Sequence, residues 1–260
     1  MTLTYTARTV MIHGRELYVE QAAGFPGRPT LVFLHDSLGC TRLWRDFPEK
    51  LALLTRCNVL VYDRWGYGQS APMSSYKRPV HYMEQEAGIL KELLSDSGLQ
   101  DVILFGHSDG GTIALLTAAL YSDIVKGIIC EAGHIFVEDI TLEGIRKAVT
   151  AYHTTDLAAR LNKYHGDKTD TVFKAWTETW LRSNYRSWNI EALLPSVTSP
   201  LLFIQGEQDE YGTAAQADRT VALVTGSSEK WMLPGVGHTP HKEAPGPVLE
   251  KSADFIRQLL

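Results

Sequence analysis

Three residues in this 260-residue chain have the types and the order needed to attack a carbonyl carbon: Ser108, Asp209 and His238. A serine hydroxyl is a weak nucleophile near neutral pH, and a histidine that takes its proton activates it. An acid beyond the imidazole holds the correct tautomer and stabilises the imidazolium. Ser108 stands in Gly106-His107-Ser108-Asp109-Gly110, between the apolar run Val102–Phe105 and the helix-forming run Thr112–Leu120. A strand, a tight turn and a buried helix with serine at the corner expose its Oγ at the sheet edge. The turn strains the serine backbone, and Gly106 and Gly110 keep neighbouring Cβ atoms out of its way. Gly111 lets the helix lie close on the sheet, and the helix N-terminus directs free N–H groups to where a negative oxygen would form. A bare Gly-x-Ser-x-Gly is also compatible with an ordinary glycine-rich turn; the strand and helix that frame it favour the catalytic reading.

The elements that must position these residues can be read from hydrophobic pattern. Arg8–Ile12 and Glu16–Glu20 flank a His13-Gly14 turn, a hairpin at the sheet edge. Thr30–Leu34, Val59–Asp63, Val102–Phe105 and Ile124–Cys130 are apolar runs of buried-strand length, and helical patterns separate them. Trp44, Phe47, Leu51 and Leu54 form one helical stripe, and Met83, Ala87, Leu90 and Leu94 form another within 80–97. This alternation implies βαβ units and a mainly parallel sheet. It stops after Glu131. From 134 to 194 the pattern is helical throughout, with stripes at Ile145, Ala148, Val149 and Tyr152, at Leu157, Leu161 and Tyr164, and at Val172, Phe173, Trp176 and Trp180. The aromatics of this insert either form its own core or line a ligand pocket. Strands Leu201–Gln205 and Lys230–Leu233 and helices over 214–224 and 247–260 complete the chain. Ser108, Asp209 and His238 then each follow the C-terminal end of a strand, where open parallel sheets place their sites.

Composition removes several function classes. A net charge of −5 without a Lys/Arg run argues against a nucleic-acid surface. No stretch approaches roughly 18 apolar residues, so no membrane span is expected, and Met1–Arg8 lacks a signal-peptide apolar core. Cys40, Cys57 and Cys130 are odd in number and match no metal spacing. They read as reduced thiols of a cytoplasmic protein. Oligomeric state is not legible.

With these motifs in order, the chain resembles an α/β-hydrolase with a cap inserted after the sixth strand. The resemblance covers essentially the whole chain and includes Asp63-Arg-x-Gly66-x-Gly68-x-Ser70, Gly206-x-x-Asp209 and Gly237-His238. It implies a core of 1–133 and 195–260, a helical cap of 134–194, the order Ser, Asp, His for the triad, and no metal or organic cofactor. It implies oxyanion donors from the backbone N–H groups of Asp109 and, by position, Ser37. The family usually has His-Gly in the latter loop, where this chain has His35-Asp36; glycine there often serves a left-handed backbone, which aspartate tolerates. Glu131 ends the strand after the elbow helix, where some members carry the triad acid, so it is either a rival to Asp209 or a contact to substrate or to the His238 loop. His35 and His107 read as structural, His241 as a surface residue, and His134, Trp176, Trp180 and Tyr185 as pocket candidates.

The expected activity is that of a serine hydrolase acting on a small ester or lactone. Amides, or carbon–carbon bonds as in meta-cleavage product hydrolases, suit the same apparatus. A ligand-binding module and a lyase-type enzyme such as the menaquinone-pathway synthase are the other readings. That synthase needs an arginine cluster for a multiply anionic substrate, and Arg146, Arg160, Arg182 and Arg186 do not form an obvious one. Asp36, Asp109, Glu131 and Glu210 in the site loops favour neutral or singly charged substrates over dianions.

Overall fold

Alternating side chains on short apolar strands explain how one sheet carries two separate cores. The computed structural model describes residues 3–260; Met1 and Thr2, at the start of the N-terminal stretch discussed above, lie outside the described residues. The strands are β1 (Thr6–Ile12), β2 (Arg15–Ala22), β3 (Thr30–Leu34), β4 (Asn58–Tyr62), β5 (Val102–His107), β6 (Val125–Glu131), β7 (Leu201–Gly206) and β8 (Ser228–Leu233). They form a single sheet in the order β1-β2-β4-β3-β5-β6-β7-β8. β2 is antiparallel to both β1 and β4, and every other pairing is parallel. His13 and Gly14 both have positive φ, as a two-residue turn of the type that matches strand twist requires.

The helices are α1 (Phe47–Thr55), α2 (Tyr82–Asp96), α3 (Asp109–Leu120), α4 (Asp139–Thr154), α5 (Leu157–His165), α6 (Thr169–Leu181), α7 (Ala214–Leu223), α8 (Pro240–Glu243) and α9 (Pro245–Gln258). On one sheet face Phe33, Phe105 and Ile204 pack with Phe47 and Leu51 of α1 and Ile256 of α9. On the other, Val32, Leu34, Leu104 and Ile128 pack with Leu90 of α2 and Leu115 and Leu116 of α3. Leu54 does not complete the α1 stripe: it is 47% exposed, and Ala52 and Thr55 are buried instead.

Two features of this topology position the site. The chain order reverses between β3 and β5, so their C-terminal loops lie side by side at a topological switch point. The register also aligns the strand ends: Leu34 pairs with Gly106, Gly106 with Cys130, and Cys130 with Phe203. The loops after β3, β5, β6 and β7 therefore open at one edge. Between β6 and β7 the chain makes α4, α5 and α6, and α4 and α6 reach that edge.

Close backbone approach makes two glycines obligatory. A Cβ at Gly106 would lie 2.1 Å from the Gly110 carbonyl oxygen, and one at Gly110 would lie 2.0 Å from the Leu34 oxygen. Both obstacles are backbone, so no side-chain rotation relieves them. Gly106→Ala should cost at least about 3 kcal/mol, the upper end of overpacking penalties. Urea unfolding measures this, and a midpoint equal to wild type would refute the packing argument.

Candidate active site

Ser108 sits between β5 and α3 at φ 56° and ψ −120°, a strained conformation for a residue with a Cβ. Its N–H donates to the Glu131 carbonyl at 2.8 Å, which fixes the turn against β6. Its Oγ lies 3.0 Å from His238 Nε2. His238, in the loop between β8 and α8, places Nδ1 2.8 Å from Asp209 Oδ1. With a carboxylate at Nδ1, the proton belongs there, and the Nε2 lone pair faces Ser108. The same Asp209 oxygen accepts the Tyr211 and Gly212 N–H groups, so the acid is oriented by its own loop.

The charges in this relay reinforce one another. Burial alone would raise the Asp209 pKa, but the imidazole of His238 and its hydrogen bond outweigh that and bring it down to about 2. Burial likewise disfavours the His238 imidazolium, yet the adjacent Asp209 carboxylate raises its pKa above the ordinary value.

Around the relay, buried polar groups tie the loops together. His35 donates from Nδ1 to the Asp36 carbonyl at 2.7 Å, and its Nε2 accepts the Arg64 N–H at 3.0 Å. Burial and the Arg64 charge hold its pKa well below the imidazole range, so it is neutral. The Arg64 side chain donates to the Asp36 carbonyl at 2.7 Å and lies 3.5 Å from Asp109 Oδ2, joining the β3 loop to the first turn of α3. Asp36 does not have the left-handed backbone expected for this position. Its carboxylate accepts the Leu38 N–H at 2.9 Å and approaches His107 Nδ1 at 3.4 Å. Burial would raise its pKa, but His107 outweighs it and holds the carboxyl well below its usual range. His107 Nε2 donates to the His238 carbonyl at 2.8 Å.

Three sequence expectations need correction. Glu131 is fully buried and does not contact the cavity; of the roles expected for it, it takes the contact to the His238 loop, where its carboxylate accepts the His241 backbone N–H at 2.7 Å and faces His241 Nδ1 at 2.5 Å. His241 is therefore not a surface residue; it is 5% exposed and packs on Trp44 and Phe47. Burial lowers the His241 pKa despite Glu131, while His241 lowers that of Glu131 against its own burial, so the pair is a neutral imidazole on a carboxylate. Tyr185 is also fully buried, stacked on Trp188 and away from the cavity wall.

The cavity at Ser108 has a volume of about 240 Å³. Ser37, Asp109, His134, Trp176 and Trp180 line it, together with His238. No acceptor among the described residues takes the Ser37 N–H, and the Ser37 hydroxyl is buried without a partner. His134 is held by donation to the Tyr211 carbonyl at 3.0 Å. Burial lowers its pKa, so it presents a neutral ring. Thr141 and Ile145 of α4 and Tyr211 complete the wall, none of which pattern reading singled out for the site. Tyr211 had a local signal, two residues past Asp209. Asp36, Asp109 and Glu210 are the acids of the wall, and among the described residues no lysine or arginine lines it.

Residues 31–251 match the model of the alpha/beta hydrolase family, and the chain belongs to that family. An Enterobacter protein named 2-succinyl-6-hydroxy-2,4-cyclohexadiene-1-carboxylate synthase is 25% identical, over 90% of this chain and 94% of its own. An Escherichia coli protein of the same name is also 25% identical, over 93% and 99%. Among solved structures, an enol-lactonase from Burkholderia xenovorans has a TM-score of 0.76 at 19% identity, covering 96% of this chain and 99% of its own. A serine hydrolase involved in carbazole degradation also has a TM-score of 0.76, at 22% identity, covering 98% of this chain and 100% of its own. No helix in the described residues is long and apolar enough to cross a membrane.

Proposed function

We propose that the chain is a serine hydrolase that cleaves an ester or lactone in a small molecule through an acyl-enzyme on Ser108. The observation that carries this reading is the unbroken relay from Ser108 to His238 to Asp209, at 3.0 and 2.8 Å, opening on an aromatic-walled cavity. As Ser108 Oγ attacks the carbonyl carbon, His238 Nε2 takes its proton and the carbonyl π electrons move to oxygen. The Ser37 and Asp109 backbone N–H groups stabilise that oxyanion, helped by the N-terminus of α3. Collapse expels the alcohol, which receives the proton from His238, and water repeats the sequence on the acyl group. Residues 134–194 serve as a cap over a core of 1–133 and 195–260, with Trp176 and Trp180 against the acyl or alcohol group. The three buried free thiols support a reducing, cytoplasmic setting.

The base must be neutral to act. Below its pKa His238 is an imidazolium with no lone pair for Ser108, so kcat/KM should fall as pH falls. The midpoint of that limb should lie above the ordinary imidazole value of about 6.5. A pH–rate profile with its midpoint at or below that value would contradict the Asp209–His238 coupling.

A second reading, a carbon–carbon bond lyase or synthase, is favoured by the two relatives at 25% identity. The named product of those relatives bears carboxylate and succinyl groups, which call for cations, whereas the wall here offers Asp36, Asp109 and Glu210. Turnover of p-nitrophenyl esters of graded acyl length, beside a lactone and a carbon–carbon cleavage substrate, separates these readings. Neutral esters and the lactone should be hydrolysed, with kcat/KM higher than for anionic esters of equal size. An anionic preference that weakens with salt would reveal hidden positive charge and favour the synthase reading. No turnover and no serine adduct would leave a ligand-binding module.

A further inference from the structure

A second cavity, of about 150 Å³, has Tyr82 as one wall. The Tyr82 hydroxyl donates to Asp109 Oδ2 at 2.9 Å and accepts Trp180 Nε1–H at 3.2 Å, and both of those residues line the first cavity. The two cavities share no lining residue, so Tyr82 separates them.

The lining of this second cavity is unlike that of the first. Arg15, Lys77 and Arg78 supply three positive charges, Glu86 is its one acid, and Ser74 and Ser75 add hydroxyls. Among the described residues, none of the three cations forms a salt bridge. Arg78 is held rigidly nonetheless: Nη2 donates to the Tyr67 hydroxyl at 2.6 Å, and the guanidinium lies over the Tyr67 and Tyr82 rings at 5.4 and 4.9 Å. Its Nη1 is buried with no acceptor. Glu86 Oε2 is buried with no donor. Arg15 stacks over Trp65 at 4.7 Å, which fixes the second guanidinium on the same cavity. Cations without a partner at a cavity wall are costly in a folded chain, and an anion that pairs with them gains that energy.

We propose that this cavity binds inorganic phosphate, the oxyanion that keeps one P–OH near neutral pH. The ligand must offer acceptor oxygens to Arg15, Lys77 and Arg78 and, at the same time, a donor to the Glu86 carboxylate. Phosphate that retains one P–OH does both. A carboxylate has two oxygens and no donor at neutral pH, and sulfate has no donor at all. Arginine is suited to planar, two-point recognition of phosphate, with lysine as an added point charge. Because Tyr82 divides the cavities, the oxyanion is a second ligand and not part of the group attacked at Ser108.

The test is calorimetric titration of the full chain at constant ionic strength, pH 8, with inorganic phosphate, glycerol phosphate and sulfate as separate arms. Inorganic phosphate should bind saturably with one site, and sulfate at least tenfold more weakly. At pH 8 glycerol phosphate is a fully ionised monoester that keeps no P–OH, so, like sulfate, it should bind at least tenfold more weakly than inorganic phosphate, and equal binding would overturn the donor requirement. The double variant Arg15→Gln, Lys77→Gln alters side chains that are not fully buried, so the fold is retained and circular dichroism checks it. It should raise the phosphate Kd at least tenfold. Glu86→Gln should narrow the gap between phosphate and sulfate. The proposal is overturned if wild type shows no saturable phosphate heat, if sulfate binds as well as phosphate, or if the folded double variant binds as wild type does.

Discussion

Ser108→Ala will lose covalent labelling by a fluorophosphonate and will lower kcat by about 10⁶-fold, the scale seen when a triad nucleophile is removed. The two losses are expected together because one Oγ performs both. The substitution removes a hydroxyl whose one partner among the described residues is His238 Nε2, so stability should be nearly unchanged. The strained backbone at φ 56° persists with alanine, since its origin is the turn between β5 and α3. Intact-mass spectrometry of wild type and variant reads the adduct directly. A wild-type protein that forms none would end the covalent mechanism, and a variant that still labels would mean another nucleophile.

Asp209→Asn will lower kcat by about 10⁴-fold, because an amide at Oδ1 no longer enforces the His238 tautomer with Nδ1 protonated. Glu131→Gln is the matched comparison. It also removes a carboxylate bonded to a histidine, but that histidine is His241, which packs on Trp44 and Phe47 and faces no substrate. Its cost should fall on stability, by about 3 kcal/mol for a broken buried pair, with kcat changed less than tenfold. Urea unfolding and initial rates on both variants give four numbers with a definite pattern. If Glu131→Gln loses more kcat than Asp209→Asn, the acid has been misassigned.

Much of this architecture is legible in sequence because it is written in short-range pattern. Thr30–Leu34 and Leu201–Gly206 are buried along their whole length, and a run of apolar residues signals that without knowledge of neighbours. Ser108, Asp209 and His238 carry local motifs, and the topology needs only to place strand ends in one row. The remainder depends on partners distant in sequence. Glu131 and His241 are separated by 110 positions, and nothing near either marks the other. Tyr185 sits in an aromatic stretch that suits a pocket or a core equally well; packing against Tyr82, Trp180 and Trp188 decides for the core. Arg15, Lys77 and Arg78 come together because the β1–β2 hairpin and the segment before α2 meet, which no periodicity reveals.

Under the proposed mechanism, His107 has a consequence for the energetics of turnover. It projects from the end of β5 and holds two loops at once, through the His238 carbonyl on one side and the Asp36 carboxylate on the other. The His241–Glu131 pair anchors the same His238 loop from below, three residues further on. A loop held at two points beside its catalytic ring has few alternative conformations, so the imidazole does not have to be searched for by each substrate molecule. In the acyl transfer proposed above, the ordering entropy of the base would be lost during folding and not on the way to the transition state.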